Sequence, residues 1–126
     1  MKLFIDCDDT LILWDMVWDE VRGLYVSGVP AGEEPLLNNE LVTDISCFLS
    51  KHKNYELIVW SGGGVRYAER WRDKYLPEAR VLDKDMHTPQ AGDIVVDDQY
   101  EYLKVDPGVH VLAPDKLSEC PICKGG

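Results

Sequence analysis

The sequence predicts an α/β fold, specifically a three-layer Rossmann-like sandwich with a mainly parallel central sheet. Short runs of consecutive apolar residues, which suit strands buried on both faces of a sheet, alternate with segments of helical periodicity. Polar residues follow the ends of these runs, where parallel sheets commonly bind ligands. With 126 residues, 45% of them apolar, the chain has the size and composition of one domain, so residues 1–126 are expected to form a single unit.

The first half of the chain reads as strand, irregular segment and helix. Residues 3–5 are apolar and predict a buried strand, whereas residues 11–35 look irregular and contain a turn-rich stretch. Asn38 or Asn39 can cap the helix that follows. One face of this helix is apolar and consists of Leu41, Val42, Ile45, Phe48 and Leu49.

The second half repeats the alternation. A helix is predicted from the spacing of Ala68, Trp71 and Tyr75, and Pro77 should end it. Residues 99–104 are expected to form a helical turn, and the tail from about residue 113 is expected to be loose. The predicted strands are residues 57–60, 80–82, 94–96 and 109–112.

The charge balance excludes some classes of function. The chain has 13 basic and 23 acidic residues, a net charge of −10, which argues against an extended nucleic-acid surface or an anionic-membrane surface. The longest apolar runs are strand-sized, so no membrane span is expected. The first strand turns acidic at Asp6, too early for a signal peptide, and a cytoplasmic location is the expectation.

The four cysteines are expected to be thiols or metal ligands rather than disulfides, because no export signal is recognised. Cys7 and Cys47 look like packed residues. Cys120 and Cys123 form a single CxxC, for which an unliganded tail, a zinc site and a redox pair remain open, with the first preferred.

Acidic residues follow two of the predicted strands. Asp6 and Asp8 come after the first strand, and Asp97 and Asp98 come after the strand at residues 94–96. If these strands are neighbours, the four carboxylates converge and need either a cation or shifted pKa values. Carboxylate oxygens without histidine or paired cysteine suit Mg²⁺ better than Zn²⁺.

Groups that bind anions follow the other strands. Ser61 supplies a hydroxyl, and the glycines Gly62, Gly63 and Gly64 can present backbone N–H groups ahead of a helix N-terminus. Lys84 supplies a positive charge after the strand at residues 80–82. A divalent metal, a lysine, a hydroxyl and backbone amides together predict a pocket for a phosphoryl group.

These residues resemble the motifs of the haloacid dehalogenase superfamily of phosphatases. Residues 4–11 (FIDCDDTL) are similar to its first motif, hhDxDxT, and residues 58–61 (IVWS) are similar to its second. Lys84 resembles the third-motif lysine, and residues 94–98 (IVVDD) resemble the fourth motif. The four occur in the family's order over about three-quarters of the chain.

The resemblance implies roles for the acidic residues. Asp6 would be the nucleophile and form an aspartyl-phosphate. Asp8 would protonate the leaving oxygen and then activate water, and its backbone carbonyl would contact the metal. Thr10 would support the loop geometry. Mg²⁺ would be held by Asp6 and Asp8 together with Asp97 and Asp98.

The resemblance also implies roles for the groups that bind phosphate. Ser61 would hydrogen-bond a phosphoryl oxygen, and Lys84 would offset charge near the nucleophile. Asp85 follows Lys84 where family members often have proline, which leaves Lys104 and Lys74 as lesser candidates for the third-motif lysine.

The family places a one-turn squiggle and a hairpin flap after the first motif, and many members insert a cap domain there. The 27 residues from 11 to 37 suit a squiggle and a small flap but are short for a cap, so the resemblance implies a capless member. Such members often act on large substrates or use a neighbouring subunit as a lid, which makes a homo-oligomer one expectation. Trp14, Trp18 and Tyr25 would lie near the mouth, where they either stack on substrate or pack on the domain.

The sequence therefore predicts a Mg²⁺-dependent phosphomonoester hydrolase. Its partner would be a phosphorylated small molecule or a phosphorylated macromolecular end. The alternative is a catalytically silent module of the same fold that binds metal or phosphate without turnover.

Overall fold

The computed structural model describes residues 1–14, 16–27 and 35–120, and for residues 16–19 and 24–27 it describes the backbone alone. Within these residues, no helix has the length and apolar character needed to cross a membrane. The elements in chain order are β1 (Lys2–Asp6), β2 (Ile12–Leu13), β3 (Met16–Asp19), β4 (Leu24–Ser27), β5 (Leu36–Leu37), α1 (Asn39–Lys51), β6 (Glu56–Trp60), α2 (Val65–Tyr75), β7 (Arg80–Val81), β8 (Ile94–Val96), β9 (His110–Leu112) and a 3-10 helix (Leu117–Glu119).

The central sheet has five strands in the order β7-β6-β1-β8-β9, and every neighbouring pair is parallel. The α/β fold with a parallel central sheet is thus confirmed. In register, Asp6 lies opposite Trp60, and Ile5 lies opposite both Val59 and Val96. Strands β1 and β8 are therefore neighbours, which is the condition under which their terminal carboxylates meet.

Both helices pack on the same face of the sheet. Helix α1 buries Leu41, Ile45 and Phe48, and α2 buries Ala68 and Trp71. These side chains form one core with alternate residues of the central strands, because side chains on a strand point to opposite faces in turn. The strand residues on this face are Leu3, Ile5, Val59, Ile94 and Val96.

The opposite face carries a smaller core, centred on Phe4 and Trp60, whose rings lie 4.3 Å apart. The segments that follow β7 and β8 cover this face with Leu82 and Leu103, and in the described residues neither segment contains a helix. The third layer of the sandwich is therefore built from irregular chain. The connection that follows β1 covers the face that carries α1, whereas the connection that follows β8 covers the opposite face. The boundary between β1 and β8 is therefore a topological switch point.

The segment after β1 contains more strand than the sequence predicts. Strands β2 and β5 pair antiparallel, and β3 and β4 form an antiparallel hairpin. Strands of two to four residues leave little periodic signal in the sequence, which is why this region looks irregular. The described parts of residues 11–37 hold these two small sheets. That the hairpin acts as a flap stays a prediction.

The expectation of a loose tail from residue 113 is wrong for residues 117–120. Leu117 and Cys120 are completely buried in the core beneath the helices, and the 3-10 helix contacts α1. The sequence interpretation missed this because one leucine in a short polar segment has no periodicity. The predicted helical turn at residues 99–104 is a single turn, closed by a 2.9 Å hydrogen bond from Tyr102 N–H to the Gln99 carbonyl.

Candidate active site

The loop after β1 folds back on the end of its strand. The N–H groups of Thr10 and Ile12 donate to the carbonyl of Cys7 at 3.2 and 3.1 Å. Asp9 has a φ of 58°, in the left-handed region that aspartate tolerates better than most residues. This turn returns the chain toward the strand end, so that the Thr10 hydroxyl lies 3.4 Å from Oδ2 of Asp6.

Lys84 lies between Asp6, the predicted nucleophile, and Asp97, a predicted metal ligand. Its Nζ is 3.2 Å from Oδ1 of Asp6 and 3.1 Å from Oδ2 of Asp97. The lysine follows β7, so its side chain passes beside the ring of Trp60 on β6, with Nζ 5.5 Å from the ring centroid. The structure thus brings Lys84 to the expected position, whereas Lys74 lies against aromatic rings on α2.

An acidic cluster lies at the carboxyl ends of the inner strands β1 and β8 and consists of Asp6, Asp97 and Asp98. Each offers a carboxylate oxygen within 4.8 Å of the others, and Asp6 and Asp97 are buried while Asp98 is exposed. With Lys84, the three ionised carboxylates leave two negative charges in excess, which one divalent cation would balance.

The electrostatics of the cluster follow from burial and like charge. Burial raises the pKa of Asp6 to about 7, with Asp97 acting in the same direction and Lys84 against it. Burial, together with Asp97, also raises the pKa of Asp98. For Lys84, burial favours the neutral form, but Asp6 and Asp97 outweigh it and raise the pKa of the ammonium. The protein alone therefore does not fully stabilise the ionised acids.

Thr10 joins the loop after β1 to the loop after β8. Its hydroxyl oxygen accepts a 3.0 Å hydrogen bond from the N–H of Asp98 and lies close to Asp6, and the residue is fully buried. The neighbouring N–H of Gln99 donates to Oδ1 of Asp97 at 2.8 Å. These contacts fix two acids through the backbone and match the supporting role predicted for Thr10.

Ser61 and its glycines form the turn that leads into α2. Ser61 is buried, and its Oγ accepts a 3.0 Å hydrogen bond from the N–H of Gly63. The N–H of Gly64 donates to the Ser61 carbonyl at 3.1 Å, and Gly64 has a φ of 101°, which favours glycine. Two of the three N–H groups expected to bind an anion are thus used by the turn. Among the described residues the Ser61 hydroxyl accepts the hydrogen bond from Gly63 and donates none, so its proton is available to a ligand. The neighbouring Gly62 is exposed.

Asp8 lies on the exposed side of the site, held by two donors. The indole N–H of Trp14 donates to Oδ1 of Asp8 at 2.9 Å, and the hydroxyl of Tyr67 donates to the same oxygen. The sequence interpretation missed Tyr67 because it defined the buried face of α2 by other residues. A usable signal exists in the spacing of Tyr67, Trp71 and Tyr75, which are four residues apart and share one helix face.

Trp14 was expected at the mouth of the site, either stacked on substrate or packed on the domain. It is half-buried, and its ring meets Trp71 edge-on at 6.3 Å between centroids. Trp18 and Tyr25 face each other in register on β3 and β4. Their side chains lie outside the described residues, so contact between Trp18 and substrate stays a prediction.

In the described part of the chain, no cysteine belongs to the acidic cluster. Cys7 is completely buried between the two motif aspartates, and burial raises its pKa to about 12. Cys120 is buried in the core and Cys47 is exposed, both as free thiols. Cys123 lies outside the described residues.

Comparison of the chain with protein-family models, with curated proteins and with solved structures gave no match. The interpretation of the site therefore rests on its motifs and its geometry.

Proposed function

We propose that this chain is a Mg²⁺-dependent phosphomonoester hydrolase that works through an aspartyl-phosphate on Asp6. The observation that carries the proposal is the convergence of Asp6, Lys84 and Asp97, from three separate segments, with Nζ at 3.2 and 3.1 Å from the two carboxylates. The same residue types occur in the same order in the haloacid dehalogenase phosphatases that the sequence resembles. A half-buried lysine held between two acids that are themselves buried is otherwise costly to maintain.

The donor set fits Mg²⁺. Asp6, Asp97 and Asp98 offer only hard oxygen ligands, and no histidine or cysteine joins this cluster in the described residues. Asp98 is exposed, which leaves the cluster accessible from solvent. Charge neutralisation on the phosphoryl group and on the nucleophile is the chemistry that the bound ion supplies.

The residues divide the reaction into two displacements. In the first, a carboxylate oxygen of Asp6 bonds to phosphorus while the bond from phosphorus to the ester oxygen breaks, and Asp8 gives that oxygen a proton. In the second, Asp8 removes a proton from water, whose oxygen bonds to phosphorus and releases Asp6. The Ser61 hydroxyl donates to a phosphoryl oxygen, and Lys84 offsets charge at the nucleophile.

We further propose a substrate class, a cellular location and a lid for this enzyme. The substrate is a phosphorylated small molecule or a phosphorylated macromolecular end, the location is cytoplasmic, and a second subunit can serve as the lid. The open surroundings of Asp8 and Gly62, both exposed, support access by a large substrate.

The test is release of phosphate from p-nitrophenyl phosphate with and without Mg²⁺. We expect Asp6→Asn to reduce the rate to background, because the amide cannot form the acyl-phosphate bond. The matched control is Asp73→Asn, a carboxylate-to-amide change on the exposed side of α2, which should keep wild-type activity.

Equal activity in Asp6→Asn, or with a chelator present, would contradict the mechanism. Wild-type protein that gains thermal stability with Mg²⁺ but releases no phosphate from a panel of esters would instead identify a silent binding module.

A further inference from the structure

Two side chains from separate elements donate hydrogen bonds to Asp8, and neither takes part in the proposed reaction steps. Tyr67 on α2 and Trp14 after β2 both donate to Oδ1 of Asp8. We propose that Tyr67 and Trp14 are positioning residues that hold Asp8 by Oδ1 and reserve Oδ2 for proton transfer to the leaving group. This inference rests on the proposed function, because it concerns the acid of that reaction.

The two donors are themselves fixed by an aromatic cluster. Trp71 is 1% exposed, and the rings of Trp14 and Tyr67 both meet it edge-on, at 6.3 and 6.2 Å between centroids. Tyr75 stacks on the same indole at 6.1 Å. Donors that are held by packing before substrate arrives need little reorganisation during the reaction.

Gly63 provides the space in which the Tyr67 ring lies. A Cβ at Gly63 would be 3.2 Å from two atoms of that ring, closer than ordinary van der Waals contact. The glycine is therefore needed beside Tyr67 as well as in the turn of Ser61. This close approach links the phosphate-binding turn to the orientation of Asp8.

The geometry assigns different tasks to the two oxygens of Asp8. Oδ1 accepts both hydrogen bonds, while Oδ2 has no hydrogen-bond partner among the described residues. The proton therefore leaves from Oδ2 to the ester oxygen as the bond from phosphorus to that oxygen breaks. The negative charge that remains on Asp8 is shared with the O–H and N–H donors on Oδ1, which strengthens both hydrogen bonds in the transition state.

The test compares esters with good and poor leaving groups. Loss of aligned proton donation should harm an alkyl phosphate, whose alkoxide leaves poorly, more than p-nitrophenyl phosphate. We expect Tyr67→Phe to lower kcat for glycerol phosphate by about 10- to 100-fold, the usual effect of losing a hydrogen bond to a charged group. For p-nitrophenyl phosphate we expect a loss of about two- to fivefold, since it needs little proton donation.

The matched control is Tyr75→Phe, which removes a hydroxyl from the same helix face without touching Asp8. It should behave as wild type toward both esters. Gly63→Ala offers an independent route to the same defect, because its new methyl group displaces the Tyr67 ring. We expect it to reproduce the selective loss with glycerol phosphate.

A second measurement detects the contact without turnover. The indole N–H resonance of Trp14 can be identified by its loss in Trp14→Phe. It should move upfield in Asp8→Ala, whereas the indole N–H resonance of Trp71 should stay at its wild-type position in that variant. An unchanged Trp14 resonance would overturn the contact itself.

Three kinetic outcomes are distinct. Selective loss in Tyr67→Phe supports the inference. Equal loss toward both esters, or no loss, overturns it while the phosphatase function stands. If wild-type protein hydrolyses neither ester, the proposed function has failed, and the inference fails with it.

Discussion

Among single residues, Asp6 sets the electrostatic character of the site. It is 8% exposed, and burial raises its pKa to about 7 despite the contact with Lys84. In the unfolded chain an aspartate ionises near pH 3.9. Without metal, ionised Asp6 therefore destabilises the folded protein, and this penalty develops as the pH rises from about 4 to 7.

Asp6→Asn should for this reason stabilise the metal-free protein at high pH. At pH 8 we expect a gain of about 1–4 kcal/mol in the free energy of unfolding, because the amide removes the buried charge. Below pH 4 the difference should disappear, since Asp6 is then protonated in both states. Thermal unfolding at a series of pH values with a chelator measures the effect.

The control for this prediction is Glu78→Gln, a change at an exposed acid, which should leave the unfolding temperature unchanged at both ends of the pH range. A difference between Asp6→Asn and wild type that does not vary with pH would contradict the electrostatic explanation.

Among the elements, α1 connects most directly to the site. Asn38 caps this helix by accepting the N–H of Leu41 at 3.2 Å, and its amide donates to the carbonyl of Thr10 at 3.0 Å. The backbone N–H of Asn38 donates to the carbonyl oxygen of Leu11 at 2.9 Å. One side chain thus begins the helix and also holds the loop that carries the proposed catalytic acids, Asp6 and Asp8.

We expect Asn38→Ala to destabilise the protein by about 1–2 kcal/mol, because the cap and the bond to Thr10 are both lost. Asn38→Asp should recover the cap but not the donation to Thr10. The stability of this variant should therefore lie between that of Asn38→Ala and that of the wild-type protein. Chemical denaturation measures these differences.

Asn39→Ala, at the exposed first position of the helix, is the control and should change stability little. If it destabilised the protein as much as Asn38→Ala, the assignment of Asn38 as the cap would be wrong.

In the whole molecule, the two faces of the sheet are covered unequally. The first face carries both helices and the buried residues Leu117 and Cys120, whereas the second carries irregular chain. Two cavities of about 240 and 290 Å³ lie along the second face, one lined by Trp60 and the other by Phe4. Most of the stability should therefore come from the first face.

Leu117→Ala tests this distribution. Leu117 is completely buried at the end of the described chain, and its truncation should lower the free energy of unfolding by about 2–4 kcal/mol through lost burial and a new cavity. Leu36→Ala, at a leucine that is 67% exposed, should have little effect. Equal effects in a denaturant titration would show that the terminal segment does not belong to the core.

The sequence was sufficient for features encoded locally. The parallel strands, both helices and a cap at Asn38 or Asn39 follow from apolar runs, helical spacing and capping chemistry within a few residues, and the structure decides for Asn38. The placement of Asp6, Asp97 and Asp98 at the same end of the sheet follows as well, because parallel strands end on the same side. Their convergence also requires β1 and β8 to be neighbours, which only the strand order of the folded sheet decides.

Tertiary structure alone decided the features that depend on distant contacts. The burial of Leu117, the irregular layer on the second face and the hydrogen bond from Tyr67 to Asp8 each join segments far apart in the chain, which no local pattern records. Lys84 is the intermediate case. Its position after β7 is visible in the sequence, but its place between Asp6 and Asp97 depends on the strand order β7-β6-β1-β8, which is set by packing of the whole sheet.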